Sequence, residues 1–369
     1  MDKQTRWPAW PLALLVLASP AQAAPRTEVV ARGLEHPWAV AFIDGGRMLV
    51  TERPGRLRLV SANGQLGKPL AGLPRIDAGG QGGLLDLVTD SGFARNRTLY
   101  FCYAEPAASG YGNSTALARA RLADDASRLE QVKVLFSQQP KFSSRAHFGC
   151  RIVEAGGTLF LTLGDRFQRM ADAQTLDNHH GKVVRVRKDG GIPPDNPFIG
   201  RAGARPEIWS LGHRNVQGAA LGPDGRLWTH EHGPQGGDEL NRPEAGKNYG
   251  WPVITYGENY GGGPVGAGLT RKAGMEQPLW QWTPSIAPSG MAFVRGTRYG
   301  KAWQGSLLLG SLKFRHLLRL ELDGTRVVRE EKLLTGLGQR VRDVREGPDG
   351  FVYLLTDEDD GQLLRLLPG

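Results

Sequence analysis

Apolar and polar residues alternate along this chain in short runs, and the runs come in pairs. Each pair is an apolar strand, a turn containing glycine, and a second apolar strand. Such pairs begin at residue 38 ("WAVAFIDGGRMLVTE"), 82 ("GGLLDLVTDSGFARNRTLYFCYAE"), 148 ("FGCRIVEAGGTLFLTLGD"), 216 ("VQGAALGPDGRLWTHEHG"), 288 ("PSGMAFVRGTRYGKAWQGSLLLGSL") and 341 ("VRDVREGPDGFVYLLTDE"). A period of two with D-G or G-G turns is hairpin chemistry. Helical periodicity is almost absent. Six hairpins at intervals of about 45–75 residues form a repeat with room for four short strands per unit. One hairpin cannot bury its own face, but neighbours packed in a ring can. The pattern therefore predicts an all-β chain, a single six-bladed β-propeller over residues 24–369. The strand "TEVVARGL" (27–34) is expected to complete the last blade and close the ring. A pair of β-sandwiches is the alternative, but no linker rich in Pro, Ser or charge divides the chain.

The N-terminus is set aside from this pattern. Lys3 and Arg6 precede a short apolar run, "WPLALLVLA" (10–18), and Ala21-Gln22-Ala23 is a small-x-small cleavage site. These are the parts of a secretory signal peptide, residues 1–23, and the run is too short to span a bilayer. The exported chain is expected in the periplasm, with no membrane span. Removing the signal lowers the net charge from +9 to +8. A basic balance suits an acidic ligand, an anionic surface or simple solubility. Nucleic acid is excluded as a partner, because the chain has no Lys/Arg block and no stacking motif. Cys102 and Cys150 are the two cysteines. They rule out a cysteine zinc site, and an oxidising compartment permits a disulfide without requiring one.

Propeller geometry says where to look for chemistry. The innermost strand of each blade lines a central channel, and loops at one channel end form the usual binding face. At the hairpin starts stand Gln81, His147, Arg214 with Asn215, Ser285, and Arg340 with Arg342; Lys313 ends the fifth hairpin. Four cations converging on one cavity need an anion, and arginine forks favour carboxylates or phosphates. Protein carboxylates could supply it, Asp343 beside Arg342 among them. His147 heads the third hairpin, and Asp165 ends its return strand in "TLGD". Antiparallel pairing would bring them together, so that Asp165 fixes one imidazole tautomer and leaves the other nitrogen as a general base.

The segment "HEHGPQGGDE" (230–239) admits two metal chemistries. His230 and His232 would share one face of a strand, which suits a transition metal. The Gly233-Pro234 turn carbonyls with Asp238 and Glu239 would suit Ca²⁺.

Taken in order, "GGLLDL", "HFGCRI", "TLGDR", "GKVVRV", "DGGIPPDNPF", "IWSLGHRNVQG", "HEHGPQGGDELN", "GKNYGWP", "SIAPSG", "GSLKFRHLLRL" and "RVRDV" resemble the soluble periplasmic sugar dehydrogenases that use pyrroloquinoline quinone (PQQ), in particular their broad-specificity aldose branch. The resemblance spans nearly the whole exported chain and is densest from Gly181 to Pro252. It implies a six-bladed propeller, in agreement with the hairpin count. It also implies that Gln81, Arg214, Asn215, Lys313, Arg340 and Arg342 hold PQQ, a planar tricarboxylate. The carbonyls of Gly233 and Pro234 would bind a Ca²⁺ that touches PQQ, and Glu239 with the Tyr249 backbone would bind a second, structural Ca²⁺.

The implied reaction is oxidation of an aldose at C1 to the aldonolactone by hydride transfer to the quinone, with an electron acceptor that the sequence does not name. His147 would take the C1 hydroxyl proton, Asp165 would support the imidazolium, and Arg214 would stabilise developing negative charge. Glucose-specific relatives carry an acid before the catalytic histidine; here it is Ala146, which favours loose recognition of aldoses. Trp280 and Trp282 are either a wall beside the sugar or core residues. His179 and His180 have no assigned role. Two other functions fit a propeller. A metal-dependent lactonase would need carboxylates in the channel where this chain has Lys and Arg. A sugar-binding propeller would have no use for the His147–Asp165 pair.

Overall fold

The computed structural model describes residues 24–369, so the expected signal segment lies outside the described residues. Six four-stranded antiparallel sheets make up the six-bladed β-propeller. The innermost strands are Pro37–Phe42, Leu84–Thr89, Ile152–Ala155, Val216–Leu221, Pro288–Phe293 and Val341–Glu346. Each pairs with the strand that follows its turn, so all six hairpins stand where the alternation predicted them. Arg26–Leu34 pairs with the last strand, Gly361–Leu367, and so forms the outer edge of the final blade. The closing strand is thus supplied from the other end of the chain.

Alternation along these strands buries one face against each neighbouring blade. Leu49, Leu57, Leu85, Leu99, Phe101, Leu117, Phe148 and Leu161 belong to one continuous apolar cluster across the first three blades. No helix among the described residues is long and apolar enough to cross a membrane.

Cys102 and Cys150 are joined in a disulfide. It ties a strand of the second blade, Thr98–Pro106, to the head of the third blade. A 48-residue separation restricts the unfolded chain substantially, which is worth about 2–4 kcal/mol. The Cys102→Ser/Cys150→Ser double variant is therefore expected to unfold at lower denaturant by that amount, with near-native far-UV circular dichroism before the transition. An unchanged midpoint would show that the bridge does not constrain the unfolded state.

Trp280 and Trp282 lie on Trp280–Trp282, the outer strand of the fourth blade, paired with Asp238–Asn241. Both indoles hydrogen-bond Glu330 of the next blade, and Trp282 is buried with Phe293 and Leu307. They pack blades together and are not a wall beside the channel mouth.

Candidate active site

His147 sits in the loop before the third blade with a left-handed backbone, φ +52°, an uncommon conformation for a side chain of this size. The surroundings hold it there. Gln81 Oε1 accepts the His147 amide at 2.8 Å. Arg166, fully buried, donates to the carbonyls of Ala146 at 2.9 Å and Ser144 at 2.7 Å and stacks on Phe148. A side chain at Gly164 would collide with the His147 carbonyl, so only glycine lets the return strand approach so closely.

The imidazole and Asp165 meet as the hairpin geometry required, Nδ1 to Oδ1 at 2.6 Å. Asp165 Oδ1 also accepts the Phe167 amide at 2.8 Å, and Oδ2 accepts the Trp251 indole N–H at 2.8 Å. Burial lowers the His147 pKa, with Arg214 and Arg166 in the same direction, against the pull of Asp165. Burial opposes ionisation of Asp165, yet His147, Arg214 and the Phe167 amide outweigh it and keep the group a carboxylate. The hydrogen bond at Nδ1 leaves Nε2 as the position for proton transfer.

Beside this pair a cavity of about 280 Å³ opens at the channel mouth, walled by Trp38, Arg53, Gln81, Asn215, Gln217, His232, Leu312, Arg340, Arg342 and Asp357. Gln81 links the two, since it lines the cavity and its side chain holds the His147 backbone. Of the expected cofactor ligands, Gln81, Asn215, Arg340 and Arg342 are brought together there. Arg214 is not on this wall. Its guanidinium donates to the carbonyls of His232 at 3.1 Å and Gly233 at 2.7 Å and reaches the Tyr260 hydroxyl at 3.3 Å. The Lys313 side chain is exposed, with its ammonium 5.3 Å from the Phe314 ring centre, and its neighbour Leu312 lines the cavity instead.

The cations are partly paired, by a different acid from Asp343. Asp357 Oδ2 lies 2.6 Å from Arg342 and 3.4 Å from Arg340. Burial works against the Asp357 charge, but these guanidinium groups hold its carboxyl well below the usual range. Asp343 is spent on Arg151 and Arg345. Arg340 and Arg342 thus share one carboxylate, and Arg53, whose guanidinium donates to the Gly80 carbonyl, lines the same cavity. Arg342 Nε is buried with no partner among the described residues. An excess of positive charge and an orphaned donor fit an anionic ligand.

Ser285 does not reach the cavity. Its hydroxyl donates to Asp238 Oδ2 at 2.7 Å. Asp238 also accepts the amides of Gly233, Ile286 and Ala287, so it ties loops together and is not a free metal donor. His232 Nε2 bonds the Pro288 carbonyl at 2.7 Å, and burial drives its pKa down to about 3. No group of three His, Cys, Asp or Glu able to hold a metal occurs among the described residues, so the two-histidine transition-metal alternative gains no support. His179 and His180 fix the loop beneath the site through Gln139, Asp172 and Pro140.

The calcium expectations divide. The Gly233 carbonyl accepts a hydrogen bond from Arg214 at 2.7 Å. Near Glu239 there is a hole of about 10 Å³ walled by Glu231, Glu239, Tyr249 and Trp251, among others. That is the size of one water or ion. Burial and the Glu231 charge push the Glu239 carboxyl up to about 8. Two crowded carboxylates around an ion-sized hole are a donor set for a hard cation.

Asp357, Arg53 and Trp251 were not singled out from sequence. Asp357 carried a usable signal, since it ends the return strand of its hairpin as Asp165 does in the third. Trp251 carried none.

Comparison with known proteins agrees along most of the chain. A family model described as Glucose / Sorbosone dehydrogenase matches residues 34–365. The Aldose sugar dehydrogenase YliI of Escherichia coli (strain K12) is 46% identical over 362 residues, 96% of this chain and 97% of that protein. A glucose dehydrogenase crystal structure superposes with TM-score 0.89 at 50% identity, covering 94% of this chain and 99% of that one. The PQQ-bound form of an aldose sugar dehydrogenase from Streptomyces coelicolor gives TM-score 0.75 at 28% identity, covering 95% and 100%.

Proposed function

The chain belongs to the glucose/sorbosone dehydrogenase family, and from that premise we propose that it oxidises aldoses at C1 to aldonolactones with PQQ and Ca²⁺, in the periplasm and with broad specificity. The observation that carries this most is the juxtaposition of the buried His147–Asp165 pair with a cation-rich cavity through Gln81.

Gln81, Asn215, Arg340 and Arg342 would hold the planar tricarboxylate, joined by Arg53, which the family resemblance did not include. Arg214 would act from the side of the cavity and Lys313 from its rim. When bound, PQQ supplies the two-electron acceptor for the C1 hydride, chemistry that amino-acid side chains lack. The rest falls to this chain. His147 Nε2 takes the C1 hydroxyl proton, which lets the C1–H electron pair leave as the carbonyl of the lactone forms. Asp165 steadies the resulting imidazolium, and burial keeps His147 neutral and ready beforehand. Arg214 places a fixed positive charge next to the pair. Glu239 with the Tyr249 backbone would hold one Ca²⁺. The carbonyls of Gly233 and Pro234 would serve the other, which requires the Arg214 contact to Gly233 to give way.

The cavity's excess of guanidinium groups disfavours a lactonase, whose catalytic metal needs carboxylates in the channel. The test is dye-linked oxidation of a panel of aldoses by metal-stripped, cofactor-free protein. Activity over several sugars is expected only when PQQ and Ca²⁺ are both added, and EDTA treatment of the loaded enzyme should abolish it until Ca²⁺ is restored. Oxidation without PQQ, or indifference to verified metal loss, would overturn the cofactor assignment. PQQ binding without oxidation of any aldose would overturn the substrate class.

A further inference from the structure

We propose that Trp251 is a positioning residue for the reaction, its indole N–H fixing the carboxylate that in turn aims His147. The proposal deepens the sugar dehydrogenase function above and rests on His147 acting as its base.

Asp165 is completely buried, and each of its oxygens has an assigned task. Oδ1 faces His147 Nδ1 at 2.6 Å and the Phe167 amide at 2.8 Å. Oδ2 has a single partner among the described residues, Trp251 Nε1 at 2.8 Å. A buried carboxylate oxygen without a donor is costly, so the indole N–H alone settles Oδ2 and with it the plane in which the carboxylate meets the imidazole.

Trp251 is itself held rigidly. Its amide donates to the Gly212 carbonyl at 2.9 Å, and its carbonyl accepts Gln174 Nε2 at 2.7 Å. Its ring packs on Ala173 and Val265, and the Arg214 guanidinium lies 5.2 Å from the ring centre. One side chain, 86 residues from Asp165 in sequence, therefore touches both Asp165 and Arg214.

The charged and titratable groups around His147 are Asp165, Arg214, Arg166 and His232. The indole touches the first two. An N–H that shares the Asp165 charge weakens that carboxylate's hold on an imidazolium. Its removal leaves the charge concentrated on Asp165, so His147 should bind its proton more tightly.

The test is Trp251→Phe, which keeps an aromatic ring and deletes the N–H. The acid limb of kcat/KM should move up by about one pH unit, the size of one hydrogen bond to a charged group. At saturating sugar kcat should fall about 10- to 100-fold, as for other outer partners of a working imidazole, with KM little changed. PQQ affinity, measured by fluorescence titration of the cofactor-free protein, should be unaltered. A variant with wild-type kcat and acid limb overturns the proposal while leaving the dehydrogenase function standing.

A second measurement needs neither activity nor a variant. In the unsubstituted cofactor-free protein, the Trp251 indole N–H resonance should titrate with the same midpoint as the His147 ring. An indole signal indifferent to that titration overturns the proposal even if Trp251→Phe fails to fold. Failure of the wild type to oxidise any aldose would instead count against the function, and the resonance test would still decide whether Trp251 is coupled to His147.

Discussion

Replacing His147 by glutamine is expected to lower kcat by about 10²- to 10⁴-fold, the usual contribution of a positioned general base, while PQQ affinity stays unchanged. Glutamine can still donate to Asp165 Oδ1, so the buried carboxylate keeps a partner and the loop keeps its anchor through the backbone bond to Gln81. What disappears is a nitrogen able to take the proton. The wild-type pH profile gives the same assignment a second check. The base works only when neutral, so activity is lost as pH falls through its folded pKa. Burial holds that pKa below the ordinary 6.5, so the acid limb of kcat/KM should lie below that value and be absent from the variant's residual rate. Steady-state dye reduction across pH measures both. Full turnover in His147→Gln would remove His147 as the base and transfer the role to another titratable group on the cavity wall, where His232 and Asp357 stand.

How far the sequence revealed this site follows from the repeat itself. Period-two alternation fixes which strands exist and which face they bury, so the six hairpins and the closing strand could be read directly. Positions tied to that repeat followed. His147 at the head of a hairpin and Asp165 at its return meet because antiparallel strands bring their ends together. Gln81, Asn215, Arg340 and Arg342 share a cavity because hairpin heads converge on the channel.

The same logic applied to return ends would have found more. Glu52, Asp165, Glu231 and Asp357 all stand there, each buried and each engaged with a cation, a histidine or both. Asp357 lies at a return end and not at a head, and without it the cations look freer than they are. Trp251 could not have been found this way. It lies in the irregular stretch between Asp238–Asn241 and Trp280–Trp282, where no period constrains where a side chain points. Trp280 and Trp282 stayed open in the sequence for a related reason. Two tryptophans near a turn suit a ligand wall or a blade interface equally, and only the register of the outer strand decides between them.

Arg151→Met is expected to destabilise the fold by about 3–5 kcal/mol, the cost of leaving a buried charge without its partner. Arg151 stands at the axis of the propeller and is 2% exposed. It lies 2.8 Å from Asp343 and 3.3 Å from Asp86, which come from the innermost strands of the last and second blades. Its Nε donates to the Gln217 carbonyl at 2.8 Å, and its Nη2 to the Arg342 carbonyl at 3.2 Å. Arg345 pairs with the same two carboxylates, so two guanidinium groups balance two acids. Methionine fills much of the volume but leaves Asp86 and Asp343 with Arg345 alone. If the loss arises from that uncompensated charge, adding Asp343→Asn should recover part of it, and the two changes should be far from additive.

The consequence reaches the site as well as the fold. Gln217 and Arg342 both line the cavity, and Arg151 holds the backbone of each. Arg151→Met should therefore weaken PQQ binding at temperatures where the protein remains folded. Denaturant unfolding gives the stability change, and fluorescence titration below the transition gives the affinity. A fall in stability with unaltered affinity would make the axial charge cluster a plug alone. A fall in both would make it the floor on which the cavity's cations are set.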